Sequence, residues 1–118
     1  MKELDHPNLV KLYETYETDK DIYLVMEYCE GGELFSRIEN GNKMSENEAK
    51  EVFRDIAKAI TYLHSRNVCH RDLKPENFLF LDRKPGSILK LTDFGLSTTV
   101  SASNKLKSMV GTVYYISP

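Results

Sequence analysis

The sequence predicts an α+β fold, and three observations carry that expectation. Apolar and polar residues alternate in two short runs near the start, one long segment has helical periodicity, and further short β-favouring runs follow it. The first run, Leu9-Val10-Lys11-Leu12-Tyr13-Glu14-Thr15-Tyr16-Glu17, alternates in its second half and reads as a strand. Asp19-Lys20-Asp21 is a polar turn, and Ile22-Tyr23-Leu24-Val25-Met26 completes a hairpin. Gly31-Gly32 breaks the chain before a short helix, about Glu33 to Glu39. Asn40-Gly41-Asn42 ends it, because Gly and Asn tolerate positive φ.

The long helix is predicted from about Glu46 to Arg66. Ser45 and Glu48 have capping-box spacing, in which each side chain satisfies a backbone N–H of the other. Ala49, Val52, Phe53, Ile56, Ile60 and Leu63 form one apolar stripe, and most of the charged residues lie off it. Val68-Cys69, Phe78-Leu79-Phe80-Leu81 and Ile88-Leu89-Lys90-Leu91 read as short strands, the last two joined by a turn at Arg83-Lys84-Pro85-Gly86-Ser87. Ser97 to Met109 is polar and unpatterned, which predicts a mobile loop. The opening Lys2-Glu3-Leu4 resembles the tail of a helix, and the chain stops at Pro118 just after an aromatic pair. Two hairpins and two helices close no obvious core, so the expectation is a fragment.

Composition narrows the function classes. In 118 residues, 16 basic side chains against 18 acidic give a net charge of −2, so no nucleic-acid or lipid-surface partner is expected from bulk charge. No apolar run approaches the ~20 residues needed to span a bilayer. The first residues lack the apolar core of a secretory signal. Cys29 and Cys69 are far apart, without a metal-binding neighbourhood, and read as reduced thiols of an intracellular, cytoplasmic protein. Cys69 and His64 read as packing residues.

Two aspartates stand in distinctive settings. One lies in His70-Arg71-Asp72-Leu73-Lys74-Pro75-Glu76-Asn77, the other in Asp93-Phe94-Gly95. Each follows a short strand, where a loop is held rigidly yet stays open. Asp72, Asn77 and Asp93 can supply bases or hard oxygen ligands, which suit Mg²⁺ attached to a phosphate. Phosphoryl transfer needs little else beyond an aligned nucleophile and a nearby cation.

These residues resemble a family. His70 to Asn77 resembles the catalytic loop of eukaryotic protein kinases, and Asp93-Phe94-Gly95 their metal-binding motif. Val25-Met26-Glu27-Tyr28-Cys29-Glu30-Gly31-Gly32-Glu33-Leu34 resembles the hinge between lobes. Gly111-Thr112-Val113-Tyr114-Tyr115-Ile116-Ser117-Pro118 resembles the end of the activation segment, so the likeness covers essentially the whole chain. It implies a two-lobe fold, with residues 1–27 ending the small lobe, 28–32 the hinge and 33–118 the large lobe through the activation segment.

The resemblance also implies roles. Asp72 would orient the substrate hydroxyl and accept its proton, Lys74 would stabilise charge on the moving phosphate, and Asn77 and Asp93 would hold the metal against ATP. The ion would be Mg²⁺, with Mn²⁺ as the alternative. Phe94 and His70 would join the packed column of the active state. Met26 would set the depth of the adenine pocket, the backbone of Glu27 and Cys29 would meet the adenine edge, and Leu79 with its neighbours would form the floor. Glu33 would bond the ribose, and Glu33 and Glu76 would face arginines of a basic protein substrate. Arg71 would anchor an ordered activation segment, with Ser108 a candidate phosphosite. Lys74 and Thr112 resemble the serine/threonine type.

Glu30 to Phe35, Cys69, and Asn77-Phe78-Leu79-Phe80 resemble the calcium- and calmodulin-dependent group, most of all the calcium-dependent protein kinases. Those carry EF-hands outside this region, and this chain has no Asp-x-Asp-x-Asp-Gly loop, so calcium or calmodulin control would act from elsewhere. The glycine-rich loop, the strand lysine and its helix glutamate do not occur here. The 118 residues alone are therefore expected to be inactive and poorly folded. The alternative is a non-catalytic binding or regulatory piece, which would have no chemical need for Asp72, Lys74, Asn77 and Asp93 together.

Overall fold

Phe78–Phe80 and Leu89–Leu91 form an antiparallel pair around which the rest of the chain is arranged. In the computed structural model, residues 4–41, 43–101 and 110–116 are described. Their elements in order are β1 (Leu12–Glu17), β2 (Ile22–Met26), α1 (Leu34–Glu39), α2 (Glu46–Ser65), β3 (Val68–Cys69), a 3₁₀ turn (Pro75–Asn77), β4 (Phe78–Phe80), β5 (Leu89–Leu91) and β6 (Thr98–Thr99). Three two-stranded antiparallel ladders result: β1 with β2, β3 with β6, and β4 with β5.

The β4–β5 ladder is wider than its named strands. On the β5 side, Val10 N–H donates to Leu91 O at 2.9 Å and Leu91 N–H to Asn8 O at 2.9 Å. On the β4 side, Gly31 N–H donates to Phe80 O at 3.0 Å and Phe80 N–H to Gly32 O at 2.9 Å. Gly31 has to be glycine, because a Cβ there would lie 2.2 Å from Asp82 O. Both flanking segments thus satisfy backbone groups that an open edge would leave unpaired.

Strand alternation turns Phe78, Phe80, Leu89 and Leu91 onto one face, where α2 covers them with Ala59 and Leu63. Leu63 is 1% exposed and Leu91 0%, and a leucine buried to that degree contributes about 2 kcal/mol. Leu9, Leu34 and Phe94 complete the buried cluster. Asp55 ties the helix to the strand by accepting Leu89 N–H at 3.0 Å. The capping box is present, with Glu48 N–H donating to Ser45 Oγ at 3.2 Å and Ser45 N–H to Glu48 Oε2 at 2.8 Å. The second bond holds the Glu48 carboxyl below its usual range.

Several sequence expectations need correction. Thr98–Thr99 is not loop but a strand paired with Val68–Cys69, and two polar residues carry no periodicity by which to see it. The buried side of α2 runs through Ala59 and Leu63, with Val52 and Ile56 half-buried, whereas Ala49 and Phe53 face outward. Phe53 is 71% exposed because the helix turns Val52, not its neighbour, onto β5. His64 is exposed rather than packed. Leu9 and Val10 lie beside β5 instead of extending β1. Lys2 falls outside the described residues.

Candidate active site

The two motif loops leave the ends of the short ladders. β3 leads directly into His70, and β6 follows the Asp93-Phe94-Gly95 loop, so their pairing holds both loops at one end. The 3₁₀ turn delivers Asn77 to the start of β4, and Thr92 N–H donates to Asn77 O at 2.9 Å just past β5. The ladder therefore brings Asn77 and Asp93 to neighbouring strand ends.

Arg71 and Asp93 have φ of 67° and 61°, in the left-handed region that non-glycine residues rarely occupy. Such conformations cost on the order of 1 kcal/mol each and persist where the surroundings over-determine them. At Arg71 the surroundings are explicit. Its Nε donates to Leu96 O at 2.6 Å, and its carbonyl lies where a Cβ on Gly111 would come within 3.0 Å. Gly111, at φ 136°, therefore lets the 110–116 segment close onto the catalytic-type loop.

His70 is buried and fixes the turn from within. Its Nδ1 accepts Asp72 N–H at 3.3 Å, which assigns the proton to Nε2, and Nε2 donates to Thr92 O at 2.9 Å. Phe94 meets its ring edge-on at a 5.2 Å centroid distance. One imidazole thus joins the loop of Asp72 to the strand that leads to Asp93.

Asp72 sits at the centre of a polar cluster and is 7% exposed. Thr112 Oγ1–H donates to its Oδ1 at 2.5 Å. Lys74 Nζ lies 3.0 Å from its Oδ2, and Asn77 Nδ2 donates to Oδ2 at 3.2 Å and to the Asp72 carbonyl at 2.8 Å. Lys74 Nζ also donates to Thr112 Oγ1 at 2.8 Å. The Thr112 hydroxyl, then Lys74 and Asn77, hold the Asp72 carboxyl below the usual aspartate range against the opposing effect of burial. The bond to Asp72 in turn raises the Lys74 ammonium. Both groups are charged at neutral pH. A carboxylate offers about four acceptor positions, and these three side chains take three, leaving room for one hydroxyl.

The donors available to a metal are hard oxygens. Asp93 is exposed, and its Oδ1 accepts Gly95 N–H at 3.3 Å. The Asn77 side-chain bonds described run from Nδ2, which leaves its carbonyl oxygen as a donor toward a cation. Two such oxygens with open positions fit Mg²⁺, which keeps waters and phosphate oxygens in its shell.

A family model described as the protein kinase domain matches residues 1–118. The chain belongs to the protein kinase domain family. Calcium-dependent protein kinase 5 of Plasmodium falciparum (isolate 3D7) is 48% identical over 118 residues, covering 100% of this chain and 21% of that protein. Calcium-dependent protein kinase 3 of Plasmodium yoelii yoelii is 46% identical over 119 residues, covering 100% and 22%. Calcium/calmodulin-dependent serine/threonine-protein kinase 1 of Oryza sativa subsp. japonica is 47% identical over 114 residues, covering 96% and 19%. The chain spans about a fifth of the length of the curated relatives it matches. The protein kinase family in general uses ATP and Mg²⁺. No helix among the described residues is long and apolar enough to cross a membrane.

The kinase-type site residues fall into two groups. Asp72, Lys74, Asn77 and Thr112 form one bonded cluster, with Arg71 beside it and Asp93 at the adjacent strand end. Met26 ends β2, Glu27 and Cys29 lie on the segment between β2 and α1, and burial raises the Cys29 thiol. Glu33 bridges to Leu79, which ties that segment to β4. Glu76 Oε2 is a buried oxygen without a hydrogen-bond partner among the described residues. Ser108 lies outside the described residues. Sequence reading valued Thr112 as a marker of the serine/threonine type and as a substrate or regulatory position, and missed it as the first partner of Asp72. It also missed Lys90, although a lysine inside the apolar run Ile88-Leu89-Lys90-Leu91 is itself a signal.

Proposed function

We propose that the protein carrying this chain is a serine/threonine protein kinase that transfers the ATP γ-phosphate to a protein hydroxyl. The observation that carries the reading is the Asp72 carboxylate, ionised and bonded to Lys74, Asn77 and Thr112, with acceptor capacity for one more hydroxyl. In this reading the substrate oxygen attacks the γ-phosphorus, the bond to the bridging oxygen breaks and ADP leaves. The hydroxyl proton passes to Asp72 late in the transfer, because a carboxylate below its usual range is a weak base that mainly orients. Lys74 offsets charge on the transferred group. Asn77 and Asp93 would hold Mg²⁺, which would neutralise phosphate charge when bound.

The nucleotide would lie against Leu79, with its adenine edge on the backbone of Glu27 and Cys29, Met26 behind it and Glu33 near the ribose. Residues 1–27, 28–32 and 33–118 would then serve as small lobe, hinge and large lobe. A basic substrate is favoured by two carboxylates, Glu76, whose Oε2 has no hydrogen-bond partner among the described residues, and Glu33, exposed at the start of α1. Arg71 uses Nε on Leu96 O, and its terminal nitrogens, which make no hydrogen bond among the described residues, would take a phosphate on Ser108. Thr112 supports the serine/threonine type through its bond to Asp72. The names of the relatives support calcium control acting from outside these residues. The 118 residues by themselves would transfer no phosphate, since no glycine-rich phosphate loop or strand lysine lies among them.

The test is radiolabel transfer from ATP to an arginine-containing serine peptide by the native gene product. Asp72→Asn is expected to lower the rate at least ~10³-fold while ATP binding persists. An Asp72→Asn protein that kept its rate would remove Asp72 from the role.

A further inference from the structure

We propose that the buried Lys90–Glu27 ion pair is a brace that fixes the adenine-contacting backbone against β5, making Lys90 a positioning residue for nucleotide. This rests on the nucleotide-binding reading above. Lys90 Nζ lies 2.9 Å from Glu27 Oε2, with side chains only 8% and 19% exposed. Nζ also donates to Leu9 O at 3.4 Å. The same Oε2 accepts Lys11 N–H at 3.2 Å, while Glu27 N–H donates to Lys11 O at 2.8 Å. Glu27 is therefore held through both its backbone and its side chain where β2 ends.

The position of Lys90 gives the pair its consequence. Leu89 and Leu91 face the α2 side, so alternation turns Lys90 to the opposite face, beside its cross-strand partner Leu79. Leu79 is the proposed floor of the adenine pocket, and Asp93 follows three residues after Lys90. One side chain thus connects the strand that delivers Asp93 with the residue whose backbone would meet the adenine edge. Stability alone does not call for a charge here, because replacing a buried ion pair by well-packed apolar residues is often neutral or stabilising. What a hydrogen-bonded pair adds is a fixed direction and distance, and that is what an edge-on adenine contact requires.

The experiment uses the native gene product, with affinities for ATP and adenosine measured by displacement of a fluorescent ATP analogue, together with steady-state kinetics. Lys90→Met is expected to weaken ATP and adenosine by the same factor, about tenfold, because the defect lies at the base and not at the phosphates. KM for ATP should rise by that factor, with kcat and the peptide KM within about twofold. Lys90→Arg, which can keep the pair, should stay within about threefold of wild type. The double variant Lys90→Met/Glu27→Met removes the orphaned carboxylate and should restore the melting temperature without restoring adenosine affinity. Recovery of both in the double variant would make the pair structural only and overturn the proposal. So would unchanged adenosine affinity in Lys90→Met. A wild-type protein that bound neither ATP nor adenosine would overturn the nucleotide reading itself, and the brace with it.

Discussion

The β1–β2 and β4–β5 hairpins are built by the same local rule and end in opposite environments. The first pairs more residues, yet Tyr13, Ile22 and Leu24 on it are 53%, 66% and 50% exposed. The second has only three pairs, and Leu89 and Leu91 on it are 1% and 0% exposed. Ladder length therefore does not decide burial. What decides it is the set of segments arriving from elsewhere in the chain: α2 on one face, residues 8–10 along one edge and residues 30–32 along the other. The loop of Asp72 runs into β4 and the loop of Asp93 leaves β5, so both motif loops join the covered hairpin, whose packing restrains their ends.

The sharpest way to break this contrast is to truncate one leucine on each hairpin in the native gene product. Leu91→Ala should cost about 3 kcal/mol, the usual loss for a fully enclosed leucine. Leu24→Ala should cost under about 1 kcal/mol, since its surroundings are largely water. Chemical denaturation measures both, and equal losses would mean that the two hairpins are equally packed.

A second contrast uses the adjacent glycines of the segment beside β4. Gly31→Ala places a Cβ 2.2 Å from Asp82 O and 2.5 Å from Phe80 Cβ, so the segment must leave the ladder, with a loss above about 2 kcal/mol. Gly32→Ala meets nothing within 4 Å and strains only a φ of +82°, about 1 kcal/mol. Hydrogen exchange at Phe80 N–H, which donates to Gly32 O, should rise strongly in the first variant and little in the second.

The same contrast explains what could be read from sequence. The strands of β1–β2, the bounds of α2 and the Ser45–Glu48 cap were legible because alternation, helical period and capping spacing are local signals. Thr98–Thr99 was not, because its partner lies thirty residues away and its own residues have no pattern. The stripe on α2 was legible only to within a residue, since Val52 and Phe53 differ by 100° around the helix and only β5 decides which is covered. At the site, residue types singled out Asp72, Lys74, Asn77 and Asp93 as candidates, and the fold brings them to neighbouring loop ends. The Thr112 bond to Asp72 and the Lys90 bond to Glu27 depend on chain closure and left no periodic trace.

Electrostatics separates the two regions as well. On the exposed hairpin, the Tyr16 hydroxyl donates to Glu14, which raises the Tyr16 hydroxyl in full contact with water. On the covered side, Thr112 leads the groups that lower Asp72. A carboxyl lowered by folding stabilises the folded state above its unfolded value, and that stabilisation is lost as pH falls through the lower folded value. Thr112→Val should therefore move the acid loss to higher pH, seen as a higher Asp72 titration midpoint by carbon-detected NMR. Added salt should alter the Tyr16 titration more than that of Asp72, because exposed charges are the more strongly screened.

The smallest expected effect tests whether α2 is the covering element. Ser45→Ala removes the side-chain acceptor of Glu48 N–H and leaves only the reciprocal bond from the backbone N–H of residue 45 to the Glu48 carboxylate. Loss of such a cap costs about 1 kcal/mol. The change lies at the first turn of α2, away from both ladders, so its route to either hairpin is through the helix. Because Asp55 on α2 accepts Leu89 N–H, exchange at Leu89 should quicken along with the α2 amides. Amides of the β1–β2 ladder, which α2 does not cover, should keep their wild-type rates under conditions of local opening. Equal acceleration in both hairpins would mean that they open as one unit, and the covered hairpin would then owe its order to the whole chain rather than to α2.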